Sequence, residues 1–232
     1  MGRRNTGERL GSISWRDIVV VPRRAILKYH RVELIPTYNV SMNNPLVQHH
    51  GWGGIINFFL SETMSLGLEA TYYVADDHQA LGHRFLRGLD DRVLPAENIY
   101  RWSGAANFGY VPLYGKFAIF NRWIAQWEIY LQGGVGVIQT EWVNRDPDPN
   151  YSAATNYDVM WHLDLGTRFF ITKWLVFHAY LKDYMFIDSF EPESRTQNDG
   201  VPSGVKQFVQ NVTFGIGVGM FLPTNFEYKY TR

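Results

Sequence analysis

The chain contains no cysteine among its 232 residues, which excludes disulfide staples and thiolate metal centres. It also lacks any run of about eighteen apolar residues, so a membrane-spanning helix is excluded. Charge of one sign is not in excess: 22 Lys plus Arg stand against 22 Asp plus Glu. That balance argues against nucleic-acid binding through a bulk basic field. The N-terminus, MGRRNTGERLGSISWRDIVVV, has basic residues but no apolar stretch followed by a small-residue cleavage site. An exported form would have lost its leader or would start upstream. None of these absences excludes a membrane, because a spanning β-strand needs only about ten residues of alternating character.

What the chain does have is apolar and polar residues finely interleaved. The apolar content is 46% and the aromatic content 16%, yet the mean hydropathy is −0.22. In VQNVTFGIGVGMFL, which begins at Val209, the even positions are apolar except Gln210, while Gly215, Gly217 and Gly219 fall on the other face. Alternation of this kind is a strand signal. It recurs over 32–42, 52–60, 64–74, 102–110, 127–137, 157–171, 175–184 and 208–222. Asp183 blurs the phase near the end of the seventh segment. Eight alternating segments predict an all-β, eight-stranded antiparallel transmembrane barrel, since an even count lets the sheet close with both ends of the chain on one side. The barrel is expected over 30–232, preceded by a partly mobile periplasmic segment, 1–29, in which DIVVVPRR could add a short strand.

The connections between segments alternate in length. Those at 61–63, 121–124 and 172–173 are tight, whereas those at 43–50, 76–97, 144–156 and 188–206 are long. Short periplasmic turns and long extracellular loops give that alternation. Tryptophan placement agrees with it. Trp52, Trp102, Trp142 and Trp161 border the long loops, and Trp123, Trp127 and Trp174 border the tight turns, where indole rings would sit at the two lipid headgroup levels. An eight-stranded barrel is just wide enough to be filled by side chains, so small residues are expected inside, at Gly134, Gly136, Gly215, Gly217 and Gly219. Pro112 cannot donate to a ladder and predicts a bulge or a strand end.

The inward polar set is Glu33, Asn57, Glu69, Asn107, Glu128, His162, Asp164, Arg168, His178 and Lys182. Acids and bases gathered in a narrow lumen suit either catalysis or a salt-bridged plug. The plug is favoured because several fall mid-strand, away from a rim where substrate would arrive, and because buried charges must be paired. No cofactor and no metal is expected. His49, His50, His78 and His83 read as solvated loop histidines, and RDPDPN lacks the glycine and terminal glutamate of a calcium loop.

The segments IVVVPRRAILKYHRVELIP, YVPLYGKFAIFN, GGVGVIQTEW, RFFITKWLVF, LKDYM and GVGMFLPTNFEY resemble the outer membrane β-barrel domain proteins of myxobacteria and related predatory or gliding bacteria. The likeness spans roughly 15–228, with VPLYGKF and FLPTNFEY its most specific parts. It implies an outer-membrane protein, and some relatives belong to gliding-motility envelope machinery. The expected role is therefore a non-enzymatic structural or partner-binding component of a cell-envelope assembly, motility- or adhesion-related. Its partners would be outer-membrane lipid and other envelope proteins, met through the N-terminal segment or the long loops. The alternatives are a small-solute pore and a lipid-modifying enzyme.

Overall fold

The computed structural model describes residues 26–44, 48–76, 98–119, 123–142, 155–190 and 205–224. The strands are β1 (Val32–Ser41), β2 (Gln48–Phe59), β3 (Met64–Asp76), β4 (Asn98–Ile119), β5 (Trp123–Trp142), β6 (Thr155–Phe170), β7 (Leu175–Phe190) and β8 (Val205–Leu222). Each pairs antiparallel with its sequence neighbours, and β1 also pairs with β8, so the eight strands form a closed barrel. The expected fold class is the observed one. Closure removes the free sheet edges that hydrocarbon would not tolerate.

Sequence alternation becomes an inside and an outside. On β8 the even positions Phe214, Ile216, Val218 and Met220 are exposed, while Thr213, Gly215, Gly217, Gly219 and Phe221 are buried. Two exceptions to the apolar outer row answer one another. Gln210 on β8 donates through its side-chain amide to Asp183 on β7. Asp183 therefore does not mark a strand end: β7 keeps its phase through to Phe190, with Asp183 on the outer face and Lys182 and Tyr184 inside.

Prolines mark two irregularities. Pairing of β1 with β8 passes from Leu34↔Met220 to Thr37↔Gly217, and the gap falls at Pro36, which has no N–H to give. The bulge expected at Pro112 is present as a register shift between Tyr110 and Leu113. There the Val111 N–H leaves the β4–β5 ladder and donates to Thr63 O at 2.8 Å. Pairing of β3 with β4 begins at Met64↔Tyr110, so the β4–β5 ribbon, from Leu113↔Ile129 to Ile119↔Trp123, runs past the β2–β3 turn on the periplasmic side.

At the outer end the strands are unequal. Pairing of β1 with β8 stops at Ser41↔Thr213 and pairing of β3 with β4 at Tyr72↔Trp102, whereas β4 to β8 continue upward. The Asn43 side chain closes the first of these ends, giving a hydrogen bond to Gln210 O at 2.7 Å and accepting one from Val212 N at 2.9 Å. The connection expected to be long at 43–50 is accordingly short, because β2 already begins at Gln48. A second register shift, between Tyr100 and Trp102, turns Tyr100 inward. The extra strand expected in DIVVVPRR, His78, His83, RDPDPN and the interiors of the three other long connections lie outside the described residues.

Candidate functional site

Read from the periplasmic end, the inward side chains of β7 are Val176, His178, Tyr180, Lys182, Tyr184, Phe186 and Asp188, all buried. That series gives the order of the whole interior: an apolar floor, an ion cluster, an aromatic band, a second ion cluster, an aromatic ceiling and a terminal carboxylate. The ten polar residues expected inside are all buried, and the strands bring them together in two groups.

The lower group contains Glu33 from β1, Asn57 from β2, Glu128 from β5, Arg168 from β6 and His178 from β7. Glu33 is the hub: His178 Nε2 lies 2.9 Å from Oε1, Asn57 Nδ2 donates to Oε2 at 3.3 Å, and Arg168 Nη2 is 3.5 Å from Oε2. Arg168 also lies 3.9 Å from Glu128 and has its guanidinium carbon 4.3 Å from the Tyr130 ring centroid and 5.4 Å from that of Phe59. Its Nε and Nη1 carry no hydrogen bond, so charge attraction and the two ring faces hold it.

Glu128 has a nearer partner that the alternation did not reveal. The Lys28 Nζ reaches it at 2.6 Å from outside the strands. The segment just before β1 folds under the barrel. Lys28 N–H and Tyr29 N–H donate to the Glu62 carboxylate in the β2–β3 turn, and Arg31 donates to the carbonyls of Leu27, Lys173 and Pro223. Ile26 joins Phe59, Phe170, Val176 and Phe221 in the apolar floor. Residues 26–29, read as part of the N-terminal segment, thus pack into the periplasmic mouth. Burial pushes the Lys28 ammonium down to about 8, an effect that Glu128 partly opposes.

The upper group contains Glu69 from β3, Asn107 from β4, His162 and Asp164 from β6, and Lys182 from β7. Lys182 pairs with Glu69 and lies 3.3 Å from Asp164. His162 Nδ1 is 2.7 Å from Asp164 Oδ1, and its Nε2 is 2.8 Å from Asn107 Oδ1. Asn107 is oriented by its own donation to Glu69 at 2.9 Å. Both ring nitrogens of His162 thus face oxygen atoms of neighbouring side chains, and Lys182 faces both carboxylates. Between the groups lies the band of Ile35, Ile55, Val111, Tyr130 and Tyr180.

The inward glycines make this filling possible. A Cβ on Gly219 would stand 2.8 Å from His178 Nε2 and 3.0 Å from Glu33 Oε1, and one on Gly217 would stand 2.8 Å from Ile35. Histidine 49 is corrected by the structure. It is a buried β2 residue that accepts the Tyr100 N–H at 3.2 Å and stacks on that ring at 4.2 Å, while His50 bonds the Tyr38 hydroxyl at 2.6 Å. Among the described residues no three His, Asp or Glu side chains converge on a metal site.

The outer surface decides where such a barrel resides. Val159, Leu163 and Leu68 are among many large apolar side chains left bare, at 65%, 64% and 63% exposure, an area no soluble monomer presents to water. Strand register aligns Tyr38, Trp52, Tyr72 and Trp102 in one row across β1 to β4, continued by Gln139 and Tyr157. Trp52, Trp102, Trp161 and Trp174 are exposed and Trp127 is half-buried. Trp123 and Trp142 are the end residues of β5, and their side chains lie outside the described residues. A closed, even-stranded antiparallel barrel with an apolar band and an aromatic row is built for the bacterial outer membrane. The chain is an outer-membrane β-barrel.

No family model and no curated protein matches the sequence. Among solved structures, the N-terminal barrel domain of Pseudomonas aeruginosa OprF is similar at 14% identity and a TM-score of 0.48, covering 84% of this chain and 98% of that one. OprG from the same organism is similar at 12% identity and a TM-score of 0.47, with 85% and 98% covered. Neisserial surface protein A gives 9% identity and a TM-score of 0.47, with 82% and 95% covered. The eight-stranded assignment rests on the pairing within this chain.

Proposed function

We propose that this barrel is a non-enzymatic scaffold of the cell envelope, its lumen closed by a salt-bridged plug and its partners met at its ends. The observation that carries the reading is the mutual pairing of the interior charges. Glu33, Glu69, Glu128 and Asp164 each have a cationic partner within the barrel. His162 has both ring nitrogens engaged, by Asp164 and Asn107, and a base needs a nitrogen free to face a nucleophile. A lumen filled in layers also argues against a solute pore, since open channels need roughly twice as many strands.

With the interior occupied, binding falls to the connections at the outer end and to the segment at the periplasmic mouth, where loops on a rigid frame collect recognition residues. An envelope assembly connected with motility or adhesion is the setting that the sequence resemblance suggests. The test is co-purification from native membranes in mild detergent. One arm shortens the β3–β4 connection to a tight turn, and the other carries folded lumen variants. Loss of the partner only in the first arm supports the scaffold. Retention there, with loss confined to the lumen variants, defeats it.

A further inference from the structure

Strand β8 outlasts the strand beside it. Pairing of β1 with β8 ends at Ser41↔Thr213, whereas β8 runs on toward the outside beside β7 alone, through Met185↔Gln210, Ile187↔Phe208 and Ser189↔Lys206. In an antiparallel sheet, alternate residues direct both backbone groups to the same side. On β8 the even residues face β1. The Met42 N–H donates to Val212 O at 2.8 Å, the Val212 N–H donates to Asn43 Oδ1 at 2.9 Å, and Asn43 Nδ2 donates to Gln210 O at 2.7 Å. The Asn43 side chain thus stands in for one further rung of β1. By the same alternation the Gln210 N–H, and the N–H and C=O of Phe208 and Lys206, point to that side, and among the described residues no strand lies against them. The three side chains stand on the outer face and are exposed, with Phe208 next to the equally bare Ile187.

Closure abolishes sheet edges along the rest of the barrel, but the shortness of β1 leaves this one open at the outer end. Its backbone donors and acceptors recur at a spacing of roughly 7 Å, two residues of extended chain. Acyl chains carry neither group, and an extended backbone meets the whole row in register. We propose that the β8 edge from Lys206 to Gln210 docks an extended segment of another polypeptide, which joins the wall as a strand and lays an apolar side chain against Phe208. Antiparallel pairing of two β8 edges would turn one barrel upside down in the membrane, which sets a second copy aside. The inference rests on the scaffold reading, in which partners are met at the barrel's ends, and names the contact and the chemistry of the partner.

The experiment uses the purified full chain, folded in detergent, with amide hydrogen exchange followed residue by residue. In the free protein the Phe208 and Gln210 N–H groups should exchange at least about tenfold faster than those of Gln207 and Val209, which face β7. Equal protection of all four, whether by a second copy or by this chain's own loops, overturns the proposal. The probe is a soluble, blocked peptide of alternating threonine and valine, set beside a twin methylated on every second backbone nitrogen. The first should slow exchange at Phe208 and Gln210, and the twin should not. No slowing at about millimolar peptide, or equal slowing by both, overturns it. Phe208→Pro removes an edge N–H that β7 does not use, a place where proline is tolerated, while Phe208→Ala keeps that N–H. Peptide binding should be lost in the first and only weakened in the second; equal weakening in both folded variants overturns the proposal. Heat-modifiable migration on a gel reports folding, and the methylated twin decides the matter if the proline variant does not fold. Co-purification from native membranes separates the two readings. A partner retained by folded Phe208→Pro overturns the edge and leaves the scaffold, whereas no partner on the unsubstituted chain defeats the scaffold while exchange and peptide still decide the edge.

Discussion

Arg168 shows what a single interior residue does here. It is 2% exposed and has no short hydrogen bond to any carboxylate, yet it stands 3.5 Å from Glu33 and 3.9 Å from Glu128. Truncation to alanine leaves Glu33 fully buried with only His178 and Asn57. The expected loss is about 3 to 5 kcal/mol, the cost of breaking a buried pair from one side. Denaturant unfolding in micelles measures it, and an unchanged midpoint would contradict the plug. Lys28 gives a pH signature of unusual sign. Its folded value, about 8, lies below the ordinary 10.5, so between those values the unfolded chain holds more protons and stability rises with pH. The gain across that window is on the order of 3 kcal/mol. Replacing Lys28 by methionine should flatten the rise; a rise that survived the replacement would place its origin elsewhere.

At the scale of elements, the strands were legible in the sequence because lipid outside and a filled lumen inside impose a two-residue period over every segment. The alternation of 157–171 carried through directly to β6 (Thr155–Phe170). Strand ends were less legible. The Tyr100–Trp102 bulge shifts the period within β4, and the Pro112 bulge hides the nine-residue continuation to Ile119. The ten interior polar residues could be read as inward, but their division into two clusters could not, because partners such as Glu33 and Arg168 are set by strands far apart in sequence. Least legible was the segment Ile26–Arg31, which has no period at all and is placed by one buried lysine and three carbonyls accepting from Arg31. Removing that segment should loosen the periplasmic mouth. Hydrogen exchange should then quicken at the Phe59 N–H, which now donates to Arg31 O at 3.0 Å, while β6 and β7 at the barrel's far end keep their protection. Uniform quickening along every strand would show the segment to be part of the global fold instead of a local closure.

For the molecule as a whole, layering decides permeability. An ion travelling along the axis would meet the floor of Phe59, Phe170 and Phe221, then Arg168 between two rings, then the band containing Tyr130 and Tyr180, then the Glu69–Lys182–Asp164 cluster, and last Tyr73, Tyr100 and Phe186. Two of these layers hold carboxylates that each face a cation already in place, and three are apolar or aromatic, where a dehydrated ion is costly. The expected outcome is that the folded barrel in planar bilayers shows no steady unitary conductance. Substituting both hub cations, as Arg168→Ala with Lys182→Ala, should leave four carboxylates underpaired and produce a destabilised barrel with irregular leakage. Uniform, cation-selective steps from the unsubstituted chain would mean that the layers part in the membrane, and the pore reading would then replace the scaffold.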